Sequence, residues 1–151
     1  MQNCLMTQKI SELLKRTRIE VSAETFTLLS VTNEQWLQLL ESPELSPRMT
    51  APFMIFKDRW EVTLLVDETD FAAMRVGLRE ARTERGFRLL SFDIELDFSV
   101  FGFLSFVSEK LAAAEIPIVA LSAFSRDHLL VKQEDLAKAL KILGEFVDEL
   151  C

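Results

Sequence analysis

The chain has 151 residues, 49% of them hydrophobic, and 17 basic against 24 acidic side chains give it a net charge of −7. Roughly 68–70% of the unfolded surface can be buried at this size, so no disulfide or metal staple is needed, and the acidic balance excludes a broad electrostatic footprint for nucleic acid or an anionic bilayer. Cys4 and Cys151 sit at opposite ends without CxxC spacing, no stretch nears the roughly 18 apolar residues of a membrane span, and no export leader opens the chain; a cytoplasmic protein is expected.

In "TQKISELLKRTR", Ile10, Leu13 and Leu14 share one face of an amphipathic helix, and "IEVSAETFTLLSV" alternates like one long strand over 18–31. "TNEQWLQLLESP" follows as a second helix, with Thr32 and Gln35 at capping-box spacing, Trp36, Leu39 and Leu40 on one face, and Pro43 and Pro47 ending it. "APFMIFKD" and "WEVTLLVD" read as two strands joined by a tight turn near Asp58 and Arg59. "ETDFAAMRVGLREARTER" reads as a third helix through Phe71, Met74, Leu78 and Ala81, broken by Gly86. On that helix Arg75, Arg79 and Arg82 would share a solvated face with Glu80 and Glu84 interleaved. A long strand over 87–97 leads to "VFGFLSFVSEKLAAAE", a helix with Leu104, Val107, Leu111 and Ala114 inward. "IPIVALSAF" and "DHLLVKQ" give two more strands, and "EDLAKALKILGEFVDEL" a closing helix through Leu136, Leu140, Leu143 and Val147.

The order β, α, β, β, α therefore occurs twice, with a period near 65 residues that is too long for a solenoid repeat. It defines an α+β protein of two ferredoxin-like units, each with helices on one face of an antiparallel sheet. The second half ends without a sixth strand, and sharing the strands at 18–31 and 87–97 would interleave the two units and repair this. The expected division is an N-terminal helical segment over 1–17, a first unit over 18–86 and a second over 87–151, with neither unit folding alone.

No P-loop, GxGxxG or GxSxG motif occurs, and four glycines leave little room for a phosphate cradle. His128, the single histidine, has no cysteine or acidic residue spaced to join it in a zinc or nucleophile site, and reads as structural. Phe98, Phe101, Phe103 and Phe106 read as core, because the basic interleaving of a nucleic-acid platform is missing. The informative pair is "LDFSVFGF" at 96–103 with "SAFSRDH" at 122–128. In a split βαβ unit the first strand-to-helix loop and the end of the second strand lie close together, so the two stretches can line one pocket. A helix starting near Val100 would aim its free N–H groups at a carboxylate, Gly102 would permit close approach, and Asp97 or Asp127 would answer an ammonium. The same residues serve equally as helix caps, a packing glycine and a turn aspartate.

"LDFSVFGFLSFVSEKLAAAEIPIVALSAFSRDHLLVKQEDLAKALKIL" resembles the C-terminal half of small tandem ACT-domain proteins, whose pattern runs from an LDFS strand end through a V-x-G helix start to an STYDTDYILVK hairpin and an EDLxxAL helix. "MIFKDRWEVTLLVDE" resembles that family's first-half hairpin, so the likeness spans roughly 50–146, and the arginine-sensing CASTOR proteins use a comparable hairpin. The resemblance implies a regulatory module without catalytic activity or cofactor, binding a small amino acid or related carboxylate through Asp97, Phe98, Ser99, Val100, Phe101 and Gly102 of the loop and Ser122, Ala123, Phe124, Ser125, Arg126 and Asp127 of the hairpin. Ala123 and Phe124 lack the pattern's hydroxyls, Ser125 lacks its carboxylate and Arg126 adds a positive charge. These departures disfavour a cationic ligand side chain, and favour an acidic ligand or none. "SVTNEQW" and "FKDRW", the first-half counterparts, lack the glycine, the serine and the second aspartate, so the second half is the expected binder.

The function expected is thus a cytoplasmic, homodimeric amino-acid sensor without a nucleic-acid or membrane partner. The alternative is a degenerate ACT scaffold that docks a protein partner and takes no small ligand.

Overall fold

The computed structural model describes the backbone from Gln2 and the side chains from Gln8. Cys4 therefore falls outside the described side chains, while Cys151 carries an exposed free thiol. In chain order the elements are α1 (Gln2–Leu14), β1 (Arg18–Val21), β2 (Phe26–Val31), α2 (Asn33–Leu40), β3 (Met54–Lys57), β4 (Val62–Asp67), α3 (Glu68–Met74), β5 (Arg82–Asp93), α4 (Phe103–Ala113), β6 (Val119–Ser122), β7 (Asp127–Lys132), α5 (Leu136–Leu143) and β8 (Glu149–Leu150). They form two compact units, one over Glu24–Phe87, the other from the residues up to Ala23 together with Arg88–Cys151.

The 24–87 unit runs β2-α2-β3-β4-α3 and finishes on the first half of β5. Its strands lie side by side as β5-β2-β4-β3, all neighbours antiparallel. Leu29, Val31, Val62, Leu64 and Val66 face Leu39 of α2 and Phe71 and Met74 of α3 in one buried cluster, which puts both helices on the same face of the sheet. Asp67 caps α3 by accepting from the Asp70 N–H at 2.8 Å. Both aspartates are buried, and Arg48 compensates them with a 2.7 Å bond to Asp70 and a 3.1 Å bond to Asp67, as buried charge requires.

The other unit runs from the second half of β5 through α4-β6-β7-α5, and β1 takes the place of its missing last strand. The order is β8-β1-β5-β7-β6, with β1 antiparallel to β5 in the register Arg18↔Asp93 to Val21↔Leu90. Disregarding β8, both units thus have the strand order of the ferredoxin-like βαββαβ fold, with the last strand beside the first and the second at the edge. Leu90, Phe92, Leu129, Val131 and Ile19 from the sheet pack with Ile10 and Leu14 of α1, Val107 and Leu111 of α4 and Leu143 of α5. Phe92 meets Phe103 edge to face at 5.4 Å.

Several boundaries differ from the sequence pattern. The stretch 18–31 is two strands, because the chain leaves the ladder between Val21 and Phe26. The helix expected through Arg85 stops at Met74; Arg75 is its C-cap, Arg79 lies in the following turn, and Arg82 opens β5 and pairs with Glu61 at 2.6 Å, so the three arginines share no helix face. Gly86 breaks no helix. It lies inside β5 at φ +80, where the register against β2 slips between Phe26 and Leu28, as at a glycine bulge. β5 ends at Asp93, short of residue 97, and the closing helix ends at Leu143. Beyond it, residues 149–150 form β8, a short strand parallel to β1.

Candidate functional site: an uncapped helix start beside a hairpin

After β5 the chain runs irregularly from Ile94 to Gly102 before α4 begins. The Leu96 N–H donates to the Ser125 carbonyl at 2.8 Å, which ties this loop to the β6–β7 hairpin. Asp97 then makes a turn: its side chain accepts from the Ser99 N–H at 2.8 Å and its carbonyl from the Val100 N–H at 2.8 Å. Hydrogen bonding from Ser99, hydroxyl first and backbone second, holds the Asp97 carboxyl below the usual carboxylate range, so it is ionised at neutral pH.

Gly102 sits at the N-cap of α4 with φ +87 and ψ −1, a left-handed conformation that glycine adopts without a Cβ penalty. It has no side chain to cap with, and the first turn of α4 holds no acidic residue. The first bond closing onto the helix is from the Phe106 N–H to the Gly102 carbonyl at 3.0 Å. The N–H groups of Phe103, Leu104 and Ser105, which precede it, meet no acceptor among the described residues and so can take an external one.

Across from this start, Ser122 donates its hydroxyl to Asp127 at 2.7 Å, and the Ala123 N–H donates to the Arg126 carbonyl at 2.9 Å. The Arg126 guanidinium faces Asp93 at 3.1 Å and Glu95 at 3.5 Å. Its charge is therefore met by the protein's own carboxylates.

A cleft of about 290 Å³ opens between loop and hairpin. Of the twelve residues singled out in the sequence, Asp97, Phe98, Val100, Gly102, Ser122, Ala123, Phe124, Ser125, Arg126 and Asp127 line it; Ser99 and Phe101 do not. Leu96, Phe103, Leu104 and Ser105 also line it and were missed. The last three are the first turn of α4, and follow once the helix is seen to start one residue after Gly102. Phe98 and Phe101, expected in the core, are instead 79% and 70% exposed, whereas Phe103 is buried and Phe106 packs against the core. Phe98 meets Phe124 edge to face at 5.1 Å, one ring from the loop and one from the hairpin.

His128 lies outside the cleft lining, half-buried, with Nδ1 2.8 Å from the Ser91 hydroxyl. Burial lowers its pKa from the ordinary value, Asp127 opposing and Arg126 reinforcing. Among the described residues no group of three or more His, Cys, Asp or Glu is placed to hold a metal ion. No described helix is long and apolar enough to cross a membrane.

The 24–87 unit carries a wider polar recess, about 540 Å³, beside the start of α2. Size alone would favour it, but that helix start already carries its own side-chain cap. Thr32 accepts from the Gln35 N–H at 3.1 Å while the Gln35 side chain accepts from the Thr32 N–H at 2.9 Å, a complete capping box.

Residues 82–145 match the family model of the ACT domain. No curated protein matches the chain in sequence. Among solved structures, a Vibrio cholerae protein of unknown function described as a possible transport protein superposes with TM-score 0.70 at 20% identity, over 93% of this chain and 98% of that one. An Agrobacterium tumefaciens protein gives 0.66 at 17% identity over 90% and 92%, and a putative C-terminal regulatory domain of aspartate kinase from Porphyromonas gingivalis gives 0.61 at 17% over 87% and 96%. These likenesses establish an ACT-type, ferredoxin-like fold.

Proposed function

We propose that this protein is a non-enzymatic regulatory module of the cytoplasm that binds one small amino acid, or a related carboxylate, per chain in the cleft between loop 97–102 and hairpin 122–127. The observation that carries the reading is the uncapped start of α4 opening into a cleft whose lining also holds Asp97 and Asp127. The ligand carboxylate takes the free N–H groups, and its ammonium a carboxylate. Asp97 already accepts from the hydroxyl and backbone of Ser99 and Asp127 from the Ser122 hydroxyl, and a carboxylate has further lone pairs to offer. The aspartate kinase domain is a regulatory part by its description, and the same role here means that ligand binding shifts a conformational or homodimer equilibrium by differential affinity. We assign the repeats as 18–86 and 87–151 in sequence, folding only together.

Thermal unfolding of the purified chain against each of the twenty amino acids and a few dicarboxylates, at millimolar concentration, tests this directly. A ligand at about 100 times its Kd stabilises by about 2.7 kcal/mol. The expected result is a selective upward shift from one compound or a related group of compounds, lost in Asp127→Ala. No shift from any compound would turn attention to the second reading, a scaffold that docks a protein partner. What favours that reading is the exposure of Phe98, Phe101 and Phe124 on one unit.

A further inference from the structure

We propose that the ligand carries a neutral, apolar side chain, and that Phe98 and Phe124 select it; this rests on reading the cleft as an amino-acid site. The two rings are 79% and 84% exposed, yet they meet each other edge to face at 5.1 Å with both residues lining the cleft. One comes from the loop and the other from the hairpin, so an apolar group entering the cleft gains contact with both and removes both faces from water. Leu96, Val100 and Leu104 continue the apolar lining.

Charge in the cleft points the same way. Arg126, the one basic residue among the described residues of the lining, is turned onto Asp93 and Glu95. An acidic ligand side chain would therefore meet Asp97 and Asp127 without a free cation to offset them, and like charges at close range repel. A basic side chain would have to compete with the ligand's own ammonium for the same two carboxylates, while crossing the apolar lining. A zwitterion with an apolar side chain offers a carboxylate to the helix start, an ammonium to the aspartates and an apolar group to the ring pair. The volume, about 290 Å³, stands at the small end of ligand pockets, which run from roughly 300 to 1,000 Å³.

Isothermal titration of the full chain with L-phenylalanine, L-leucine, L-methionine, glycine, L-aspartate and L-lysine tests the assignment. At least one of the three apolar amino acids should bind about tenfold or more tighter than the other three compounds. Phe98→Ser and Phe124→Ser should each weaken that ligand about tenfold and Phe124→Leu should restore most of the loss. Both sites are exposed, so the variants should unfold at the parent temperature without ligand. Tightest binding of aspartate or lysine, abolished by Asp127→Ala, would overturn the side-chain assignment and leave the binding site standing. Absence of binding by all six would overturn the cleft as an amino-acid site, and this inference with it. Unchanged affinity in both serine variants, with a dimer converted to monomer, would overturn the proposal and make the ring pair a contact between copies.

Discussion

The two strand-to-helix loops that follow β2 and β5 occupy the same place in the same topology and differ in chemistry. The loop before α2 spends its polar groups on itself: Thr32 and Gln35 exchange hydrogen bonds, and Glu34 adds an acidic charge to the first turn. The loop before α4 has Gly102 where the other has Thr32, no acidic residue in its first turn and a cleft beneath it. A cap stabilises a helix by about 1 kcal/mol. That figure is relative to alanine; a glycine such as Gly102 in its place costs only about a few tenths of a kcal/mol, and leaves N–H groups free for another acceptor. In the proposed function one unit serves architecture and the other recognition, and the two differ there both in the helix cap and in loop length, one residue between β2 and α2 against the stretch 94–102 between β5 and α4.

The largest effect should come from separating the units. Residues 86–151 alone lack β1, with Ile19 fully buried, and α1, with Ile10 and Leu14. That fragment should show no cooperative unfolding by circular dichroism; a sharp thermal transition would show that the unit does not need its distant strand. Next, Gly102→Val should erase ligand-dependent stabilisation. It should also cost about 1–2 kcal/mol without ligand, because a β-branched residue resists the left-handed conformation. A retained ligand shift in that variant would place the site elsewhere.

Thr32→Ala sharpens the contrast from the other side. Loss of the box should cost about 1 kcal/mol in urea unfolding, with the ligand shift unchanged. An altered ligand shift would mean that both loops serve the ligand.

The smallest effect is a pH dependence. Burial depresses the His128 pKa in the folded state below the ordinary value of about 6.5. Above that value both folded and unfolded chains are neutral at His128 and its contribution is full. As pH falls below it the unfolded chain takes up the proton first, so stability is lost between the ordinary value and the lower folded one. The slope should stay well under about 1.4 kcal/mol per pH unit, since the half-exposed ring is screened by solvent. His128→Gln should flatten it in denaturant titrations from pH 7.5 to 5.5, and an unchanged slope would assign it to another group.

Local patterning carried much of this protein. The capping box at Thr32 and Gln35, the turn at Asp58 and the apolar spacing of Val107 and Leu111 are visible in the sequence because each depends on residues a few positions apart. The split βαβ order followed from those elements, and with it the neighbourhood of 97–102 and 122–127. Helical spacing misled at 75–85. The run of Arg and Glu fits a helix face as well as a strand, and only pairing with β2 on the far side of the sequence decides for the strand. Phe98 and Phe101 show the same limit, since hydrophobicity says that a ring prefers burial and not whether the fold supplies a place for it.

By itself the sequence determined the alternation of helices and strands apart from the split at 18–31 and β8, the ferredoxin-like class and the loop and hairpin that meet, since these rest on short-range periodicity, caps and turns. Tertiary structure alone decided which part of the shared stretch at 18–31, β1, completes the sheet of a unit otherwise begun some seventy residues later, that Arg126 spends its charge on Asp93 and Glu95, and that Phe98 and Phe124 meet at the cleft. Each of these is a contact between residues distant along the chain. Its energy depends on which surfaces the completed sheet brings together, and no local pattern records that.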